Sequence, residues 1–336
     1  MNFFISDTLS LQIDINSYPT FVSMTLIGKP PSRSPIYPAD FAGECSPQPN
    51  AFQTLTRIHY LVDHLVSVSA LNQRLTDLSD QFQAPKSRVW QPIAWEKIST
   101  QQIVGVDPEF YCIILAKSAE IELPSMGYGV ESRTYLGQVC PRMARFMGGI
   151  RDDSGKVKEF GVWEKEEQTH GPILQNIYKT LTGKKAMVSP AALRGYCPEG
   201  NLEQDAYHHL VFRMAHECMA VSGYIALIAL STGELQRVLL QITQDEISHM
   251  AKFFGFTRWR FKDSFFSRFS GMVRSTAYLT QSQMQEREFF DTFKISKDII
   301  KLWLLYEWSK MLVLRQLWIW DRSLTPDFLD ELFAAH

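Results

Sequence analysis

The sequence predicts an all-α protein, a four-helix bundle with additional flanking helices. Beyond residue 50, apolar residues recur at spacings of three and four over most of the chain. No alternating apolar/polar run extends past a few residues, so no sizeable sheet is expected. Glycine and proline gather in short stretches between the periodic segments. At 336 residues the chain can bury the core of one large domain with appendages.

Taken in order, residues 1–50 are rich in proline, serine and aromatics, include Gly28-Lys29-Pro30-Pro31-Ser32, and read as an irregular arm. From Phe52 to Phe82 a helix is predicted by Leu55, Ile58, Val62, Leu65, Val66, Leu71, Leu75 and Leu78. A proline-marked connection follows, from Ala84-Pro85 to Trp90-Gln91-Pro92. Phe110 to Glu122 is helical, Pro124, Gly127 and Gly129 interrupt it, and Val130 to Met147 resumes the period. Gly148 to Gly155 turns the chain as the first hairpin of the bundle. Val157 to Leu181, Gln204 to Leu230 and Glu234 to Phe254 supply the other bundle helices. The first two are separated by a polar crossing, Ser189 to Asn201, and the last two by the turn Ser231-Thr232-Gly233. The expected organisation is an arm (1–50), a bundle (51–290) and C-terminal helices packed on it (291–336). The most apolar late segment, Ile299 to Trp320, contains Lys301, Glu307, Lys310 and Arg315, which predict an amphipathic packing helix and not a membrane span.

A net charge of −2 gives no overall field attracting nucleic acid or anionic lipid. Five cysteines (Cys45, Cys112, Cys140, Cys197, Cys218), odd in number and without C-x-x-C spacing, point to reduced thiols. The start, MNFFISDTLS, has no basic region before its apolar residues and carries Asp7 early, so a cytoplasmic protein is expected.

Two Glu-x-x-His motifs carry the chemistry: Glu167-Gln168-Thr169-His170 and Glu246-Ile247-Ser248-His249, 79 residues apart, with Glu217 between them. Residues three apart share a helix face, so each motif offers a carboxylate and an imidazole to one metal-sized space. The order Glu, Glu-x-x-His, Glu, Glu-x-x-His is what a ferritin-like bundle needs to hold two iron ions on four carboxylates and two imidazoles. A lone Glu-x-x-His is commonly a solvated helix face. Two copies on otherwise apolar stripes are more specific, because unpaired carboxylates there would each cost several kcal/mol. Glu217, for instance, has Val211, Met214, Val221 and Tyr224 around it, and Arg213 alone is too little basic charge for metal-free ion pairs. For the first ligand, Glu120, Glu122 and Glu131 are candidates. At about 1.5 Å of rise per residue, a continuous helix pair puts Glu131 level with Glu167 across the hairpin, but Gly127, Gly129 and Pro141 make continuity doubtful and spacing leaves the choice open. Asp245 is placed to accept the outer N–H of His170 and fix that ring. His208, His209 and His216 read as packed or polar histidines, with His216 near enough to Glu217 to tune it.

Over roughly residues 88–254 the chain resembles the soluble acyl-ACP desaturases. Trp163-Glu164-Lys165-Glu166-Glu167-Gln168-Thr169-His170-Gly171 is similar to the family's W-x-x-E-E-x-x-H-G, and Asp245-Glu246-Ile247-Ser248-His249 to its D-E-x-x-H. Gly149 to Gly155 resembles its G-V-R-D-x-x-G hairpin, and Trp90-Gln91-Pro92 its W-Q-P. Glu120-Ile121-Glu122-Leu123-Pro124 resembles its E-x-x-L-P, whose first Glu is an iron ligand, so the resemblance selects Glu120 and keeps Glu131 as the alternative. It implies the ligand set Glu120, Glu167, His170, Glu217, Glu246 and His249 for two Fe ions (Fe2+/Fe3+). It also implies an electron path through Trp90, Asp245 and His170, a ferredoxin-type donor, a homodimer and a deep apolar channel. The implied activity is O2-dependent desaturation of an acyl chain carried on acyl carrier protein or as another acyl thioester. Docking of the carrier is expected on cations after the last motif, Arg258, Arg260 and Lys262 foremost, with Lys252, Arg268 and Arg274 near them. Where the family has Thr three residues after the third-helix Glu this chain has Ala220, which removes a hydroxyl unless Ser222 or water replaces it. That departure gives weight to a di-iron oxygenase, a C-hydroxylase or N-oxygenase of a specialised metabolite, as the alternative. A ferroxidase or iron-binding protein is the alternative of another class, although such chains are much shorter.

Overall fold

The computed structural model describes residues 3–5, 9–11, 48–123, 125–186, 198, 200–284 and 297–334. The predicted arm therefore lies almost wholly outside the described residues, as do Cys45, Cys197 and most of the Ser189–Asn201 crossing. An N-terminal unit, residues 1–37, contains β1 (Phe3–Ile5) paired antiparallel with β2 (Leu9–Leu11).

The second unit, residues 38–336, is an all-α helical bundle. Its helices are α1 (Ala51–Leu65), α2 (Val68–Gln83), α3 (Pro108–Glu122), α4 (Ser125–Leu136), α5 (Pro141–Gly148), α6 (Val162–Thr182), α7 (Leu202–Ala229), α8 (Gly233–Phe261), α9 (Phe265–Met284), α10 (Lys297–Asp321) and α11 (Pro326–Phe333). Helices α3, α6, α7 and α8 form the centre: α7 packs along α8, α3 along α6, and Tyr111 of α3 donates to the Leu227 carbonyl of α7 at 3.1 Å. Between them lie fully buried aliphatic side chains, among them Leu115, Leu174, Ile177, Leu210, Val221, Leu239 and Ile242. Each contributes about 1.5–3 kcal/mol by leaving water. α10 covers α7 with Leu305, Val313 and Leu317, the inward line of the amphipathic segment that the sequence predicts. One described helix, α7, is long and apolar enough to cross a membrane by length and composition, but most of it is buried within the protein.

Local chemistry explains several boundaries. The single helix expected over Phe52–Phe82 is two, because Ser67 accepts from the Ala70 N–H at 3.3 Å and starts α2. Asp107 caps α3 through the Glu109 and Phe110 N–H groups, with Pro108 in the first turn. Asn201 caps α7 in the same way, and left-handed Gly183 ends α6. The stretch expected as the helix Val130–Met147 is α4 and α5, with Pro141 opening the second. The predicted Gly148–Gly155 hairpin is a small β-hairpin, β3 (Ile150–Arg151) with β4 (Val157–Glu159), so α6 begins at Val162 and not at Val157. Gly149 enters it at φ 68°, where an added Cβ would collide with the Glu159 carbonyl oxygen.

Candidate metal centre

Four helices deliver six side chains to one interior volume. Glu122 comes from the end of α3, Glu167 and His170 from α6, Glu217 from α7, and Glu246 and His249 from α8. They form two overlapping quartets, Glu122/Glu167/His170/Glu246 and Glu167/Glu217/Glu246/His249. Within each quartet, one ligand atom per residue lies within 4.8 Å of the others. His249 Nδ1 is 2.9 Å from Glu167 Oε1 and 3.7 Å from Glu217 Oε2. His170 Nδ1 is 3.0 Å from Glu246 Oε1 and 3.9 Å from Glu167 Oε1. Close as they are, Glu167 Oε1, Glu246 Oε1, His170 Nδ1 and His249 Nδ1 are buried without a hydrogen bond. Orphaned polar atoms converging in this way are what a cation would satisfy. The buried Glu/His cluster can thus hold a metal ion.

The outer ring nitrogens are satisfied crosswise. His170 Nε2 faces Asp245 Oδ2 at 3.3 Å, and His249 Nε2 faces Glu166 Oε2 at 2.9 Å. Each outer acid immediately precedes the glutamate of the other helix's motif, so both rings turn Nδ1 inward. Asp245 also accepts from the Trp90 indole at 2.8 Å, and the Trp90 and His170 rings are 6.1 Å apart. The Trp163 indole donates to Glu217 Oε1 at 3.0 Å, and the Tyr224 hydroxyl to Glu122 Oε1 at 2.6 Å.

The first position goes to Glu122, not to the expected Glu120 or its alternative Glu131. At 100° per residue, side chains two apart point to nearly opposite sides of α3. Glu120 accordingly pairs with Lys117 at 2.7 Å, away from the cluster. Glu131 lies on α4 and pairs with buried Arg213. The levelling argument for Glu131 fails because the turn before Cys140, which separates α4 from α5, and the β-hairpin break the helix pair it assumed continuous. Gly171 lets α3 approach α6 here, since an added Cβ would meet the Leu123 side chain at 3.1 Å.

Charge in so small a space is self-limiting. Burial and the neighbouring Glu167 push the Glu122 carboxyl up to about 8, and burial with Glu167 and Glu122 holds Glu246 well above the carboxylate range. Burial opposes ionisation of Glu217 too, but His249 and the Trp163 indole keep it below its usual value. Burial would depress both histidines. The acids around them win: with Asp245 and Glu167, His170 rises to about 9, and with Glu166, Glu167 and Glu217, His249 lies well above its ordinary value. Asp245 is held at about 2 despite burial by His170 and Arg88. Without a cation, protons do part of the neutralising.

Other expected residues lie elsewhere. His209 contacts Ser132 Oγ at 3.0 Å, His208 packs on Tyr207, and His216 packs on Phe212 and Tyr128. Ser222 spends its hydroxyl on the Cys218 carbonyl of its own helix at 2.6 Å. The phenol nearest the cluster is that of Tyr224, which the sequence reading treated only as part of the apolar stripe. Most of the expected docking cations are engaged internally: Arg258 and Arg268 with Asp321, Arg260 with Glu203, and Lys252 with Asp77. Lys262 is the left-handed cap that ends α8. Glu166 was missed although it stands where Asp245 stands in the other motif; reading the repeat as (Asp/Glu)-Glu-x-x-His would have found it.

Comparison with known protein families, curated proteins and solved structures returned no match.

Proposed function

We propose that this protein is a di-iron, O2-dependent desaturase in a ferritin-like bundle, acting in the cytoplasm on an acyl chain carried on acyl carrier protein. The observation that carries the metal reading is the set of four orphaned atoms facing inward while both imidazoles are fixed from outside. Glu167 and Glu246 belong to both quartets, and together with Glu122, His170, Glu217 and His249 they would hold the metal. Hard carboxylates with two imidazoles suit iron. Bound iron supplies O2 activation and removal of hydrogen from unactivated C–H bonds.

The chain's own residues do the rest. Trp163 orients Glu217, and Tyr224 orients Glu122 and brings an O–H to the site. Asp245, bonded to Trp90 and His170, supports the electron path from a ferredoxin-type donor that the family resemblance suggests. A homodimer is proposed on that resemblance alone. Ala220 favours the second reading, an oxygenase.

The test is iron quantitation with the optical spectrum of the purified protein and of Glu167→Ala and Glu246→Ala, followed by mass analysis of acyl carrier substrates. About two irons per chain, lost in both variants, and a product lighter by two hydrogens are expected. Gain of oxygen would assign the oxygenase. Iron oxidation with unchanged substrates would assign a ferroxidase, and a protein that takes up no iron would end the proposal.

A further inference from the structure

Arg88 lies outside every helix, on the stretch between α2 and the short 3-10 turn Trp95–Lys97, yet it reaches both halves of the site. Its backbone N–H donates to Glu166 Oε1 at 2.6 Å, and its Nε donates to Asp245 Oδ1 at 2.5 Å. The rest of its guanidinium is fixed on α8, by the Gln241 carbonyl and by Gln244 Oε1 at 3.2 Å. Glu166 holds His249 and Asp245 holds His170, so Arg88 touches the outer partner of each imidazole and neither ring.

The surroundings make such a clip necessary. Glu166 and Asp245 line an open recess of about 590 Å³, with Arg74, Ser248 and Lys252 on its wall. A carboxylate facing such a space can turn toward water and release the imidazole it holds, unless a donor on the recess side fixes it. Arg88 is that donor for both acids; the Trp90 indole, which does not line the recess, holds Asp245 only through Oδ2, the oxygen that faces His170, and leaves Oδ1 to Arg88.

We propose that Arg88 is a positioning residue that fixes the two imidazoles by separate contacts, His170 through its side chain on Asp245 and His249 through its backbone N–H on Glu166, and so sets how evenly the centre binds its metal. The proposal rests on the metal-centre reading given above. The two contacts differ in kind, and this makes their effects separable. Asp245 is held by the side chain, which substitution removes, whereas Glu166 is held by the backbone, which substitution leaves. Changing the side chain therefore strikes the His170 half and spares the His249 half.

The experiment compares wild type, Arg88→Ala, Arg88→Lys, Asp245→Asn and the Arg88→Ala/Asp245→Asn double variant. Its readouts are the imidazole Nε2–H proton resonances of the metal-free protein and a cobalt(II) titration. In Arg88→Ala the His170 resonance is expected to broaden or vanish while that of His249 persists. Removing a partner that orients a metal-bound histidine weakens affinity by about 10–100-fold, and Arg88 acts one bond further out, so one cobalt equivalent is expected to weaken by about tenfold. Arg88→Lys restores part of both signals, and Arg88→Ala adds nothing in the Asp245→Asn background. Arg88→Ala with a wild-type His170 resonance would overturn the proposal, even if the variant melts earlier. So would equal loss of both resonances. If wild type takes up no cobalt, the metal reading fails while the resonances still decide whether Arg88 positions His170.

Discussion

Glu122 and Glu120 stand two residues apart on α3, and conservative substitution of each gives opposite results. Glu122→Gln removes a negative charge from a volume already crowded with Glu167, Glu217 and Glu246. In the metal-free protein, ionising this carboxyl is unfavourable: its value lies at about 8 against an unfolded value near 4.5. A folded value above the unfolded one means that the native state binds the extra proton, so stability is lost as pH rises from about 4.5 through 8. Each pH unit in that window is worth about 1.4 kcal/mol. Glu246 shares the same proton load, so the part relieved by Glu122→Gln is on the order of 2 kcal/mol at pH 8. With metal the sign reverses, since the variant lacks an anionic ligand and binds at least about tenfold more weakly. Glu120→Gln loses a partly exposed (i, i+3) pair with Lys117, worth about 0.3–0.5 kcal/mol, with or without metal. The assay is chemical denaturation at pH 8 with and without added ferrous iron. Destabilisation of the metal-free protein by Glu122→Gln, or equal behaviour of the two variants in metal, would refute the reasoning.

Metal uptake should release protons, because Glu122, Glu246, His170 and His249 all hold them more tightly than usual in the metal-free state. Calorimetry in buffers of different ionisation heat should find at least about two protons displaced near pH 7, with affinity falling as pH falls. His209 is buried beside Arg213 and is held well below its ordinary value, first by burial and then by that cation. A depressed histidine contributes stability that is present above about pH 6.5 and is lost below it, at up to about 1.4 kcal/mol per unit, so His209→Gln should flatten the acid side of the stability profile. Gly149→Ala must place a Cβ against the Glu159 carbonyl at positive φ. It should lower unfolding free energy by roughly 2–4 kcal/mol in denaturant titration, while Gly155→Ala, where nothing lies within 4 Å, is milder despite its own positive φ.

The sequence by itself determined the fold class and most of the cluster. Helical period is local, and so is a three-residue spacing, so Glu167 with His170 and Glu246 with His249 were bound to share a face once α6 and α8 formed. Glu217 followed from being an acid on an apolar stripe, and the Asp245–His170 contact from its place beside Glu246. Only the tertiary structure decided what depends on where a helix stops. The end of α3 at Glu122 and the separate α4 and α5 choose Glu122 over Glu120 and Glu131, because rotation about α3 and height along it are fixed by packing against α6. Trp163, Tyr224, Glu166 and Arg88 likewise join the site through contacts across the fold, 54 to 157 residues apart in sequence, which no local period encodes.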